Sequence, residues 1–218
     1  LGADKRVFQR LHLPGVSFNY IVWLPPASKR EPLAHYVRRL SEQIDTSQEV
    51  VLIGVSFGGI VAQELSRLVP CRQVIIISSV KSPLEYSIPL KLVKWVHMYA
   101  LMPPGWLKKA PAFLTDYFFG VHSPEESALL QTIIRETPDD FLSWAISAIM
   151  QWEGGPAVPQ LLHLHGTRDR IFPIQSIHNC IPVEGGGHFM ILNKAAQLSQ
   201  LITEKKEEWN KGHRKLEG

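Results

Sequence analysis

Cysteine is scarce in this sequence. Only Cys71 and Cys180 occur in 218 residues, and their separation fits neither a metal nor a redox motif. Two such residues make a poor disulfide framework, so the expectation is reduced thiols in a cytoplasmic protein. Long hydrophobic runs are missing too: no stretch approaches the roughly 20 apolar residues needed to span a bilayer. Charge of one sign is also lacking. Lys and Arg number 23 against 20 Asp and Glu, a net +3, and the basic residues are scattered, which gives no footprint for nucleic acid. There is no internal repeat and no low-complexity tract. What remains is an ordinary globular composition, 45% apolar and 20% charged, in a chain long enough for one domain with a buried sheet.

Short β-branched runs punctuate the chain, each followed by a turn signal. Val50 to Gly54, Gln73 to Ser78 and Gln160 to His165 read as strands. Phe18 to Leu24 reads as another, ended by Pro25-Pro26, and Ile181 to Glu184 as a short one. None alternates cleanly, as expected of strands buried on both faces in a parallel sheet. Leu33 to Ile44, after Pro32, and Gly59 to Leu68, before Pro70, read as helices. Strand and helix in alternation predict a doubly wound, mostly parallel α/β sheet.

Residues 82–156 break the rhythm. They show helical stretches at Leu90 to Leu101, Ala112 to Phe119, Pro124 to Glu136 and Asp139 to Trp152, and no convincing strand. This segment holds 11 of the 20 aromatic residues and four of the six Trp, so it is expected to pack its own core. The predicted division is a core of 1–81 and 157–218 with an all-helical cap, 82–156, inserted in it. Most of the rings are read as cap packing and a minority as ligand-pocket lining.

The strongest local signal is Gly54-Val55-Ser56-Phe57-Gly58-Gly59, which follows a strand and opens a helix. A serine hydroxyl becomes a nucleophile only when a base takes its proton and the backbone presents it in the open. A Gly-x-Ser-x-Gly turn presents it, with Gly54 and Gly58 expected where a Cβ would clash. A dinucleotide fingerprint is excluded, because Ser56 occupies the place of its middle glycine. The base and its orienting acid come downstream. Asp169 lies in the loop after the strand ending at His165, and His188 follows Gly185-Gly186-Gly187. The order Ser56, Asp169, His188 is that of a nucleophile-elbow triad. Glu184 is a reserve acid. His163 and His165 share a strand face and are read as structural rather than as a metal pair. His12, His35, His178 and His213 read as surface residues, and His97 and His122 fall in the cap.

The elbow, the segment His165-Gly166-Thr167-Arg168-Asp169 and the turn Gly186-Gly187-His188 together resemble the α/β-hydrolase superfamily. Leu1-Gly2-Ala3-Asp4-Lys5-Arg6-Val7-Phe8 resembles its oxyanion loop and first helix. The resemblance implies that the backbone N–H groups of Phe57 and Leu1 receive an oxyanion. It also implies a strand before the Leu1-Gly2 turn, and so a segment ahead of Leu1. Asp4 reads as a helix N-cap. The implied chemistry needs no cofactor and no metal: a small acyl substrate, a carboxylic ester or thioester, passes through an acyl-enzyme. A carbon–carbon hydrolase or lyase on the same triad stays open, as does a binding protein without turnover.

Overall fold

The computed structural model of the chain describes residues 2–97, 105–158 and 160–214, with side chains to Trp209. Four parallel strands form one sheet in the order β1 (Val51–Val55), β2 (Gln73–Ile77), β3 (Leu161–Gly166), β4 (Ile181–Val183). Every residue of β2 is buried, as a central parallel strand requires. Its alternate side chains feed two cores. Val74 and Ile76 join one with α1 (Leu33–Ser41) and α2 (Phe57–Leu65). Ile75 and Ile77 join the other with α7 (Met190–Asn193) and α8 (Ala195–Arg214). Period-two alternation in a strand thus becomes helices on both faces of a doubly wound sheet.

Between β2 and β3 the described residues form helices and turns and no strand, as the sequence implies. α3 (Ile88–Trp95), α4 (Ala112–Phe119), α5 (Pro124–Glu136) and α6 (Asp139–Gln151) form the insertion. Leu90–Leu101 begins as expected, but the structure closes this helix earlier, with His97 at φ 55°. Residues 98–104, the rest of that stretch and part of the Pro103-Pro104 turn, lie outside the described residues. Serine or proline opens these helices: Ser123 caps α5 by accepting from the Glu126 N–H. α6 carries Phe141, Trp144, Ala145 and Ile149 into the α1–α2 core, while Leu130, Ile133 and Ile134 of α5 enter the other. The Trp144 indole donates to Glu31 O at 2.9 Å and the Trp152 indole to Glu64 Oε1 at 2.7 Å, so the insertion is bolted to the α1–α2 layer that covers the sheet.

The segment Phe18 to Leu24 departs from expectation: it forms no strand. Val22 exchanges N–H and C=O bonds with the Gln43 side-chain amide (2.9 and 3.0 Å), and Leu24 does so with the Tyr36 hydroxyl (3.1 and 2.9 Å). Alternate residues facing one edge is the habit of extended chain. Side chains of the α1 region take the place of a neighbouring strand there. On its other side lies a cavity of about 730 Å³, lined by Phe18, Tyr20 and Trp23 across from Val51 and Ile53. Among the described residues β1 pairs only with β2, and the cavity separates this segment from its other edge.

Candidate active site

Ser56 stands between β1 and α2 at φ 54°, ψ −120°, a backbone conformation that L residues seldom adopt. Three main-chain bonds hold it there. Its N–H donates to Ile77 O (2.9 Å), and its carbonyl accepts from Gly59 N (2.9 Å) and from the Ser79 hydroxyl (2.7 Å). The side chain makes no helix-capping bond, which leaves Oγ free to turn elsewhere. The crowding expected at both elbow glycines falls on one of them. A Cβ at Gly54 would lie 2.1 Å from Gly58 O, but one at Gly58 meets nothing within 4 Å, because that direction opens on the cavity beside β1. The second tight position is Gly59, where a Cβ would lie 2.5 Å from both side-chain atoms of Ser79.

Asp169 and His188 arrive on loops after β3 and β4. Parallel register puts both loops on the sheet edge where the Ser56 turn lies. Thr167 N donates to Val183 O (3.0 Å) and Arg168 N to Gly186 O (2.8 Å), tying one loop to the other. The glycine-rich turn fits only because its neighbours lack side chains: a Cβ on Gly120, itself at φ 68°, would lie 2.8 Å from the Gly187 Cα. Phe189 N then donates to Phe119 O at 2.8 Å, pinning the turn to the end of α4.

These elements bring the three residues together. His188 Nε2 is 2.9 Å from Ser56 Oγ, and His188 Nδ1 is 2.8 Å from Asp169 Oδ2. Asp169 and His188 are 4% and 3% exposed. Asp169 Oδ1 accepts from the N–H groups of Ile171 and Phe172, both at 2.9 Å, which fixes the carboxylate plane. An ionised carboxylate only accepts, so the Nδ1 proton faces Asp169 and the Nε2 lone pair faces the Ser56 hydroxyl. The Phe57 N–H opens α2 beside Ser56, where the first turn of a helix leaves its donors unsatisfied. Leu1, assigned to the same role, lies outside the described residues. Asp4 caps the 3₁₀ turn Lys5–Phe8 by accepting from the Arg6 N–H at 2.9 Å. Glu184 sits at the loop edge 3.4 Å from the Thr167 hydroxyl, and the acid against His188 is Asp169.

Two aromatic rings that no sequence signal marks enclose the imidazole. Phe119 stands edge-on to His188 with centroids 5.4 Å apart, and Phe172 tilts against it at 5.6 Å. Behind Asp169 lies a buried imidazole pair. His165 Nε2 donates to Phe172 O at 2.7 Å, and its Nδ1 accepts from His163 Nε2 at 3.2 Å. Burial pushes the His163 pKa down to about 3 and lowers that of His165, so both rings are neutral at ordinary pH. No group of three or more His, Cys, Asp or Glu among the described residues is arranged to hold a metal ion.

The doubly wound parallel sheet with its helical insertion is an α/β-hydrolase architecture. The chain belongs to the alpha/beta hydrolase family, whose sequence pattern matches residues 10–201. No curated protein matches it at the level of sequence. Solved structures of similar fold include a thermophilic esterase from Thermogutta terrifontis, with a TM-score of 0.62 and 17% identity over 94% of this chain and 86% of that one. A bromoperoxidase from Bacillus anthracis is similar at a TM-score of 0.55 and 16% identity, over 90% and 79% of the two chains. A meta-cleavage product hydrolase from Pseudomonas fluorescens is similar at 0.54 and 14%, over 80% and 70%. At these identities the likeness is one of fold. No helix among the described residues is long and apolar enough to cross a membrane.

Proposed function

We propose that the protein is a serine hydrolase that cleaves a carboxylic ester or thioester of a small acyl substrate through an acyl-enzyme. The observation that carries this reading is the unbroken bond line from Ser56 Oγ through His188 to Asp169. His188 Nε2 takes the hydroxyl proton as Ser56 Oγ attacks the carbonyl carbon. Asp169 holds the imidazole in the correct tautomer and stabilises the imidazolium that forms. The Phe57 N–H, at the positive end of α2, faces the oxygen on which charge develops, with Leu1 N–H as the second donor. Collapse of the tetrahedral adduct expels the alcohol or thiol, which leaves with the proton from His188. Water then repeats the cycle on the acyl-enzyme and frees the carboxylic acid. Residues 82–156 act as a cap on the core formed by 1–81 and 157–218, with Phe119 and Phe172 making the walls at His188 apolar.

A fluorophosphonate probe tests the reading. The wild type is expected to become labelled, and both Ser56→Ala and His188→Ala to lose the label while keeping their thermal melting point within a few degrees. A folded wild type that resists the probe sinks the proposal. Acyl esters and thioesters of graded length then identify the bond. Refusal of all of them by a chain that still labels shifts the reading to hydrolysis of a carbon–carbon bond on the same three residues.

A further inference from the structure

The insertion exposes apolar side chains on two helices near the candidate active site. On α3, Ile88, Leu92 and Trp95 recur at helical spacing on the outer face and are 82%, 55% and 77% exposed, while Leu90 and Val93 pack inward. On α4, Phe113, Leu114 and Phe118 are exposed. Single exposed apolar residues are ordinary, but two helical faces of them are not. α4 borders the triad directly, and α3 lies two rings away from it. Tyr86, just ahead of α3, stacks on Phe172, which packs on His188, and Phe119 ends α4 edge-on to His188.

Charge is sorted across these elements. α3 and the 3₁₀ turn Trp106–Lys109 hold four lysines and no acid. Lys91 lies on the exposed face of α3, Lys109 is exposed ahead of α4, and neither has an ion-pair partner among the described residues. Of the nearby acids, Asp139 pairs with Lys108 at 2.7 Å and Glu153, beside the Trp152 carbonyl that accepts from Lys94, is exposed, while two others turn inward. Glu85 is 3% exposed and pairs with Lys81, and Asp116 of α4 accepts from Ser127 on α5. An apolar face carrying unpaired lysines, with Trp at its end, matches a layer that is apolar inside and anionic outside. A second copy of the chain fits less well. A two-fold contact through α3 would desolvate Lys91 against like charge, with no carboxylate on that helix to meet it.

We propose that α3 and α4 dock the protein on a lipid surface with anionic headgroups, their apolar faces entering the interface and the triad opening onto it. The substrate then delivered to Ser56 is an acyl ester partitioned into the lipid. This last point rests on the serine-hydrolase reading; the docking itself does not.

Flotation of the full chain with vesicles tests the docking without any turnover. Partition onto vesicles of phosphatidylcholine with phosphatidylglycerol is expected to exceed that onto phosphatidylcholine alone by roughly tenfold, and to weaken in high salt. The triple variant Ile88→Ser, Leu92→Ser, Trp95→Ser is expected to lose partition by roughly tenfold or more with its melting point unchanged. The pair Lys91→Glu and Lys109→Glu is expected to abolish the preference for anionic vesicles, a change that misfolding of the apolar face could not mimic. Equal partition of wild type and triple variant overturns the proposal. So does a concentration-dependent dimer in vesicle-free solution that the triple variant dissolves, since a second copy then covers the face. A chain that takes the fluorophosphonate but ignores vesicles loses the docking and keeps the hydrolase. A chain that binds vesicles but resists the probe does the reverse.

Discussion

Ser56 is held at a dihedral that costs an L residue about 1–3 kcal/mol, and the three bonds to its main chain offset that strain. The elbow glycines divide the remaining work unequally. Gly59→Ala drives a Cβ against Ser79, the residue whose hydroxyl holds Ser56 O, and is expected to destabilise by about 1–3 kcal/mol. Gly58→Ala points into open space and is expected to melt within a few degrees of wild type. Thermal melting of the two variants side by side checks this. Asp169→Asn keeps the shape of the site but removes the charge that orients His188, so kcat is expected to fall roughly 10³–10⁴-fold. His165 acts one step further back, through the Phe172 carbonyl whose loop carries the N–H bonds to Asp169 Oδ1. His165→Phe strands Phe172 O and the His163 N–H. It is expected to lower kcat by about tenfold with KM little changed, and to lower the melting point as well. A fall in melting point alone, with kcat intact, would make His165 a packing residue only.

Elements depend on partners that lie far away in the chain, and this decides how much of them a sequence discloses. Within the insertion α6 is tied to the segment ahead of α3 by Tyr86, 1% exposed, whose hydroxyl donates to Ile149 O at 2.7 Å. Tyr86→Phe removes one buried bond and is expected to lower stability by about 1 kcal/mol in a urea titration, with no effect if α6 takes a water at that carbonyl instead. α4, α5 and α6 are legible from local signals, because Pro111, Ser123 and Pro138 start them and Gly120 stops the first. β2 and β3 are legible as uninterrupted apolar runs. Phe18 to Leu24 shows the limit. Its residues favour a strand, yet a strand needs a neighbour, and nothing within the run says whether one lies beside β1. The triad shows the same division. The turn signals placed Ser56, Asp169 and His188 on one edge through known loop positions. Phe119 and Phe172 reach His188 only through the packing of α4 and the loop after β3, and no local pattern marks them.

Over the whole molecule, buried ionisable groups tie stability to pH at both ends. Folded His163 stays neutral down to about pH 3, whereas in the unfolded chain it takes a proton near pH 6.5. Between those values the unfolded state binds more protons, so stability falls as pH falls, by about 1 kcal/mol per pH unit for this one ring. His165, also lowered by burial, adds in the same direction. Two carboxylates join at lower pH. The Arg6 side chain holds Asp4 below its ordinary value. At Glu31 burial pulls upward, but the bonds from Arg39 and the Ala27 N–H outweigh it. A carboxylate with a depressed folded pKa stabilises above its unfolded value and loses that contribution as pH drops through the folded one. At the alkaline end burial raises the Tyr36 and Tyr86 hydroxyls, so above about pH 10 the unfolded chain sheds protons that the folded one keeps, and stability falls again. Urea midpoints are therefore expected to be level near neutrality, to decline from about pH 6.5 downward, and to decline once more above pH 10. The acid limb separates the histidines from the carboxylates. His163→Phe removes a group that titrates from pH 6.5, so its decline between pH 6.5 and 4.5 is expected to be shallower by about 1 kcal/mol per pH unit. A variant limb parallel to wild type over that interval would remove His163 from the acid sensitivity and leave it to His165 and the carboxylates.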